Sequence, residues 1–448
     1  MYSIFGQLAL PIEFFARSGG GGSSSGGGGG DGILAILGYF PMHFVGSALR
    51  RLGAKYESFK LPLSIVGWVI AVVYAVAWTF IWSSFGFFIG VAALFGMAAG
   101  LYNLFGKLKQ SKQVKANLAA AGSEDAAWTE EKLVEHATNV FNRYQNDWSQ
   151  LNSANMQQYL TPYYHYHASL LVYALQLMGR RNSVQNPVIS HIVVVDMQNH
   201  TDDSRDTFTA GITAKATDSL IDTSTDEALF NDNSEFTEYW TFQRSGTTWL
   251  LSGISQATQD KFTLNTQLRD LAGKHGYYYS LDMGWLLIPK RGQLFGYAKF
   301  GTSDINNHII GLYNGQLLVQ LYSYVKNPQS NNKPYVIAQV NVPKQYGNIV
   351  VRRKKTFQRG LGNLEKVETE WTQFNNKYEV YASAPEQVTS FELLNPTYME
   401  QLEALPFEVN IEVVDNVIYL YTSEIDATLE VYESMLDLTN KAFVELRL

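Results

Sequence analysis

The sequence predicts an α+β chain in which a two-helix transmembrane hairpin is followed by a domain of helices then strands, and after it by a second β-rich α+β domain. Three observations carry this. Between Lys60 and Lys107 lie 46 residues without a charged side chain. From Thr129 to Gly179 apolar residues recur at helical spacing. From Pro187 onward the period changes to two, with turn residues between the runs.

Composition sets the outer bounds. A chain of 448 residues is long enough for two or three domains of roughly 100 to 200 residues each. Hydrophobic residues make up 46% and charged residues only 17%, below the roughly 25% typical of soluble domains, so some stretch is depleted of charge. Up to Gly122 there are nine Lys/Arg and three Asp/Glu, net +6; after it 25 and 38, net −13. An acidic body repels phosphate backbones and anionic headgroups, which argues against nucleic acid as a partner and against a flat contact of the body with an anionic leaflet. There is no cysteine, so disulfides, thiolate metal sites and Cys nucleophiles are excluded.

Residues 1–60 form an N-terminal segment. Met1 to Arg17 lack a basic leader region, and Pro11 and Glu13 interrupt their apolar run, so a retained segment is expected rather than a cleaved signal. Residues 18–32 hold ten glycines in fifteen positions, the composition of a flexible tether spanning roughly 20 Å. A phosphate-cradling loop would need a following Gly-Lys-Ser/Thr and a preceding strand, and neither is present. Ile33 to Leu49 is uncharged but short, with Pro41 and His43 inside it; an interfacial helix and a dip into the membrane both remain open.

Residues 61–106 are the expected hairpin. As one helix this run would be about 69 Å long, more than twice the roughly 30 Å of bilayer hydrocarbon, so two spans fit and one does not. The break falls at Trp82 to Gly86, leaving spans near Pro62 to Ile81 and Phe85 to Phe105. Arg50, Arg51, Lys55 and Lys60 precede the pair, and Lys107, Lys109, Lys112 and Lys115 follow it. The positive-inside rule then places both termini in the cytoplasm of a multi-pass protein of the cell membrane, with the lipid bilayer as a partner. The competing assignment, a buried hairpin of a soluble core, would be unusual with two consecutive uncharged runs of span length.

Residues 107–127 read as an Ala-rich polar linker. Thr129 followed by Glu130 and Glu131 is an N-cap with acids in the first turn, where they suit the helix dipole. Leu133, Ala137, Val140, Phe141, Tyr144, Trp148 and Leu151 form one apolar stripe. A short helix is expected over Ala154 to Leu160, and a third from the Thr161-Pro162 cap to Gly179. Strands are expected over Pro187 to Met197, Asp206 to Asp218, Glu235 to Arg244 and Thr248 to Gln256, the last two joined as a hairpin across Ser245 to Thr247.

Over residues 128–258 this pattern resembles the Tim forty-four-like domain family, the mitochondrial import translocase tethering subunit and its bacterial relatives. The matching stretches are FNRYQNDWSQLNSANMQQYLTP, GRRNSVQNPVISHIVVVD and EYWTFQRSGTTWLLSGISQ, the most specific being Glu238 to Phe242 with Trp249 to Leu251. The resemblance implies a cone-shaped fold of the nuclear-transport-factor-two type, with helices and a curved antiparallel sheet around an apolar pocket. It also implies an adaptor or tether rather than a catalyst.

Residues 267–448 form the second domain. Tyr335 to Val342 and Asn348 to Val351 read as strands, FEVNIEVV and VIYLYTS flank Asp415-Asn416 as a hairpin, and Asp426 to Leu448 returns to helical spacing. The run from Lys377 through YEVYASAPEQVTSFELLNPTYMEQL to the end resembles a bacterial domain of uncharacterised function, which implies no activity.

His165 and His167, in Tyr163-Tyr164-His165-Tyr166-His167, point about 200° apart on a helix and cannot chelate one ion as a pair spaced by four would. Aromatic packing with one solvated histidine is the plainer expectation. His191 and Asp196 fall on opposite faces of a strand. The carboxylates of Asp202 to Asp206 and Asp218 to Asp232 are expected in solvated loops, and neither stretch has the spacing of a calcium loop. Arg352 to Lys355 is a basic run, expected at a solvated strand end or loop, or else on anionic headgroups. No catalytic, cofactor-binding or metal-ligating residue is assigned, and no cofactor is implied. The leading function is a membrane-anchored, non-catalytic adaptor that binds a membrane protein, peptide or lipid at the cytoplasmic face. The alternative is a pocket enzyme of the cone fold acting on a small apolar substrate, which requires a carboxylate aimed inward with a raised pKa.

Overall fold

The computed structural model describes residues 112–255, 263–284, 286–287, 305–325, 333–354, 361, 364–384 and 393–448. The chain divides into two units, one ending at Glu124 and one running from Asp125 to Leu448. In the first, residues 112–124 are helical, where the sequence reads as a linker; their Lys, Gln and Ala content favours that state.

The second unit begins with three helices. α1 (Glu130–Ser149) buries Leu133, Ala137, Val140, Phe141, Tyr144 and Trp148 along the stripe that the sequence predicts. α2 (Ser153–Met156) is shorter than expected, with Asn152 as its cap. Asp147 fixes the following turn by accepting from Asn155 Nδ2 and from the Tyr159 hydroxyl, each at 2.8 Å. α3 (Pro162–Leu177) starts with Thr161 accepting from the Tyr164 N–H and Pro162 in the first turn, and ends where Gly179 takes a left-handed φ of 63°.

Five strands follow: β1 (Arg180–Gln198), β2 (Thr207–Asp222), β3 (Ala228–Asp232), β4 (Glu235–Ser245) and β5 (Thr248–Ser255). They form an antiparallel sheet in the order β1-β2-β4-β5, with β3 against β2. The predicted β4–β5 hairpin is present, turning at Gly246 with φ 61°. β1 carries three bulges, which bend it around the helices. The edge at β5 is closed by the chain before α3: the Leu251 N–H donates to Tyr159 O at 2.8 Å, and the Thr161 N–H to Leu251 O at 2.9 Å.

The remainder builds a nine-stranded antiparallel sheet from β6 (Tyr278–Gly284), β7 (Ile305–Tyr313), β8 (Leu317–Tyr324), β9 (Tyr335–Asn341), β10 (Asn348–Arg353), β11 (Glu365–Val367), β12 (Tyr378–Ala382), β13 (Val409–Val414) and β14 (Val417–Thr422). Their order is β11-β12-β10-β13-β14-β9-β8-β7-β6. The β13–β14 hairpin turns at Asp415, φ 55°, as its Asp-Asn sequence predicts. Among the described residues four helices accompany the sheet: α4 (Thr263–Lys274), α5 (Thr372–Lys377), α6 (Pro396–Ala404) and α7 (Leu429–Glu445). One sheet face, with Val319, Leu321, Ala338, Val340, Ile411 and Leu420, shares an apolar core with α4, α6 and α7. Gly311 in β7 is required by close approach, because the ring of Tyr277 occupies the space that a Cβ would take.

The transmembrane part of the expected fold is corrected. No helix among the described residues is long and apolar enough to cross a membrane. The most apolar one, α3, has 16 residues where a span needs about 20, and α1 has 20 but is amphipathic. The hairpin expected over 61–106 lies outside the described residues, as do residues 1–60 with the tether. The multi-pass location in the cell membrane with cytoplasmic termini is therefore not supported. The α+β class stands.

Candidate functional site

The inner face of the five-stranded sheet, covered by α1 and α3, is aromatic with a polar seam. Strand alternation turns Phe208, Ala210, Ile212 and Ala214 of β2 and Phe236, Trp240 and Phe242 of β4 inward. The same alternation carries Asp218, Asp222 and Glu238 inward, all buried. Phe141 and Tyr144 of α1 lie against Trp240 with ring centroids 5.2 and 5.4 Å apart, and Phe208 stacks on Phe242 at 4.7 Å.

A carboxylate moved into such an interior loses several kcal/mol of hydration and persists only with donors around it. Glu238 receives the Trp240 Nε1–H on Oε2 at 2.9 Å. Asp218 receives Asn182 Nδ2 on Oδ1 at 2.5 Å, and Asn182 in turn accepts the Trp148 Nε1–H at 2.6 Å. The amide of Asn182 thus joins a helix indole to a strand carboxylate. The Tyr164 hydroxyl donates to Tyr144, and burial first of all pushes both phenols well above the usual tyrosine value, with the Glu238 charge adding to it. At neutral pH these phenols are protonated donors. The interior is thus lined by hydrogen-bonding and aromatic groups, and its buried carboxylates are Glu238, Asp218 and Asp222.

Below this interior His167 is buried, stacked on Tyr278 of β6 with centroids 3.9 Å apart and planes 9° from parallel. Burial, with the nearby His308 adding to it, lowers His167 to about 3. The two histidines of α3 do part company, as the helical angle requires: His165 donates from Nε2 to Ser153 O at 2.9 Å on the partly exposed side. The expected solvated histidine is thus half-buried, and the one deeper in the fold is His167. Among the described residues no group of three His, Cys, Asp or Glu could hold a metal ion.

The expected solvated acidic loops are corrected in part. Asp218 and Asp222 lie on β2 facing inward, and β3 occupies 228–232. Asp206 is buried as well, accepting the His200 N–H at 2.7 Å, and Arg244 makes ion pairs to Asp125, Asp203 and Asp206 at 2.6 to 3.3 Å. His191 and Asp196 are both exposed on β1. In the basic run, Arg352 pairs with Glu379 at 3.1 Å and Arg353 lies over the Tyr378 ring, while Lys355 is outside the described residues.

Residues 333–445 match a family described as "Protein of unknown function (DUF3137)", so a bacterial-type domain of unknown function is present over that part of the chain. No Tim forty-four-like family matches, which corrects the resemblance drawn over 128–258. The hydrophobic pattern there, apolar helix stripes and then alternating strands, is one that helix-covered antiparallel sheets share in general. No curated protein matches. Among solved structures, the crystal structure of the mycobacterial trehalose monomycolate transport factor A, TtfA, is similar at 12% identity, covering 41% of this chain and 94% of that one, with a TM-score of 0.32. The intermembrane space region of the chloroplast protein ARC6 is similar at 14% identity, covering 27% and 94%, with a TM-score of 0.23. At those scores neither carries an argument about fold or function.

Proposed function

We propose that the chain is a non-catalytic adaptor that binds a protein or peptide along the outer face of α3. The observation that supports this most directly is a mismatch between composition and exposure. α3 has 16 residues and no charged side chain, a composition that places a helix in a core on all sides. Yet Tyr163, Tyr173 and Leu177 are 58%, 39% and 36% exposed, half of the large hydrophobic side chains found exposed among the described residues. These three lie within about 80° of one another at 100° per residue, so they form one stripe. Apolar residues gathered in this way mark interaction sites more often than scattered ones do. The net −13 of the chain after Gly122 makes nucleic acid a poor candidate.

The test is a photo-reactive residue placed at Tyr173 or at Tyr163 of the full chain in intact cells, with Val444 as the control position. A discrete adduct at the α3 positions, lost when Leu177→Glu is added, is expected. Adducts at Val444 alone, or none at α3, would sink the proposal.

A pocket enzyme is the second possibility, and one observation favours it: Glu238, near Tyr144 and Tyr164, is a carboxylate turned into an aromatic interior, and Asp218, linked through Asn182 to Trp148, is a second. It predicts that the intact chain consumes a small apolar compound from a metabolite extract and that Glu238→Gln does not. Equal consumption by both chains, or by neither, removes it.

A further inference from the structure

Part of the five-stranded half of this unit rests on the second face of the nine-stranded sheet, and the seam between them is polar and yet buried. From the first half, α3 brings His167, stacked on Tyr278 of β6, and the Tyr166 hydroxyl, which donates to Gly276 O at 3.2 Å. β1 brings Arg180, whose Nη1 donates to Leu286 O at 3.2 Å. From the sheet come His308 of β7, Gln320 and Tyr322 of β8, and Gln339 and Asn341 of β9. These five are under a tenth exposed, as are His167 and Arg180. An antiparallel sheet with one apolar face normally turns its polar face to water; here a second layer stands where water would be.

The hydrogen bonding of the seam is incomplete. His308 Nε2 meets Gln320 Oε1 at 3.0 Å, and the Tyr322 hydroxyl donates to Gln339 Oε1 at 3.1 Å. Gln320 Nε2 and Gln339 Nε2 meet no partner; nor do both polar atoms of the Asn341 side chain, His308 Nδ1 or either ring nitrogen of His167. Each of these atoms opposes closure, since parting the layers returns it to water. The two histidines stand on opposite layers, near enough for His308 to act on the charge of His167. Around His167 are the phenols of Tyr164 on its own helix and Tyr278 of β6, then Tyr144 of α1 and Glu238 of β4, which act on Tyr164. Around His308 are Gln320 and Tyr322, and Arg180 acts on Tyr322 and Tyr419 farther along, in the row that also holds Glu412 of β13. Among the described residues no carboxylate figures in the environment that shifts either imidazole. A proton taken up in the closed seam therefore finds no anion to pair with, and two of them repel.

We propose that this seam is a proton-operated latch: protons taken up by His167 and His308 part α3 and the start of β1 from the second face of the nine-stranded sheet, with both halves still folded. Each half keeps a core of its own. The aromatic interior around Trp240 lies within the five-stranded half, and the apolar core with α4, α6 and α7 lies on the far face of the other sheet. Closed, the seam holds His167 at about 3, by burial and then by His308, and His308 at about 4, by burial against the opposing hydrogen bond of Gln320. In water both return to about 6.5, so the open form binds more protons as pH falls, and acid favours opening. Between pH 7 and pH 5 the ratio of open to closed rises about 500-fold. That is enough to turn a seam about 5% open into one about 95% open. The latch rests on the inner side of α3 and not on the stripe of its outer side, so either proposal can fail without the other.

The chain has no cysteine, so Thr247→Cys in the β4–β5 turn and Gln316→Cys in the β7–β8 turn, both exposed, place one spin label on each half of the full chain. Pulsed dipolar spectroscopy at pH 7 and pH 5 reads the distance between the labels, with far-UV circular dichroism on the same samples. A longer distance at pH 5 with an unchanged far-UV signal is expected. Adding His167→Phe and His308→Gln should hold the pH 7 distance at pH 5. If that pair does not fold, His308→Gln alone decides, cutting the shift in the open-to-closed ratio from about 500-fold to about 25-fold. The inference is overturned if the distance is the same at both pH values, if it lengthens only as the far-UV signal is lost, or if it lengthens equally in the histidine variants.

Discussion

In the five-stranded sheet Asn182 uses its oxygen on Trp148 and its nitrogen on Asp218, whereas in the nine-stranded sheet Gln320 and Gln339 use only their oxygens. Both regions bury amides, phenols and a carboxylate, so burial of polar groups does not distinguish them. Completion of the network does. A satisfied buried network fixes one packing arrangement and is explained by the fold it specifies. A half-used one costs about 1–3 kcal/mol for each open group, which folding alone does not justify.

The largest effect should come from breaking the completed network. Asn182→Leu strips Asp218 of its 2.5 Å donor and leaves the Trp148 indole without an acceptor; a loss of about 4 kcal/mol in chemical unfolding is expected. A loss below about 1 kcal/mol would erase the contrast between the sheets.

Acid should act next, at the join between them. His167 is held at about 3 and His308 at about 4, in both cases chiefly by burial. Both values lie below the roughly 6.5 of an unfolded chain, so the unfolded state binds more protons as pH falls. The stability these neutral imidazoles contribute is complete above pH 6.5 and drains as pH drops toward 4 and 3. Between pH 6.5 and 5 the loss is about 2 kcal/mol per histidine. His167→Phe, which preserves a ring against Tyr278, should halve that slope. A flat stability profile from pH 7 to 5 would show that the join wets freely.

Asn341→Leu, which replaces two unpartnered buried atoms of β9 by an apolar group of similar shape, should move the other way from Asn182→Leu, gaining about 1 kcal/mol in chemical unfolding. The smallest effect is expected on the outside: Tyr173→Glu with Leu177→Glu should shift stability by no more than about 0.5 kcal/mol while abolishing crosslinking at α3. A large loss there would mean that the stripe is packed rather than presented.

Elements with clean periodicity were legible in the sequence. α1, α3, the β4–β5 hairpin and the β13–β14 hairpin fall where apolar spacing, caps and turn residues predict them. β6 to β8, α4 and α6 were not anticipated individually, and the strand ends misjudged in the first sheet are those whose buried positions are polar. β1 begins at Arg180, seven residues before the expected Pro187, because its first inward residues are Arg180, Asn182 and Val184, a pattern that reads as a loop when polar residues are assumed to face water. β2 runs on to Asp222 for the same reason. The candidate interior was half legible: Trp240 and Phe242 were marked by their strand, but the inward turn of Glu238 and Asp218 depends on indole and amide donors brought from elements far along the chain. The burial of Gln320 and Gln339 in the second sheet was not legible, since alternation such as Val319, Gln320, Leu321, Tyr322 is also what a half-solvated strand shows. The uncharged run of 61–106 gave the strongest signal of all and lies outside the described residues, among which no helix is long and apolar enough to cross a membrane.

Position 311 has a reach beyond its own strand. Any residue larger than glycine would lever the Tyr277 ring aside, and Tyr278, next in the chain, is the ring that clasps His167. A single added methyl group deep in β7 could thus unfasten the two halves of this unit from within, with every residue of α3 unaltered. Inherited variation at this glycine should be selected against as strongly as variation at the buried asparagine of β1.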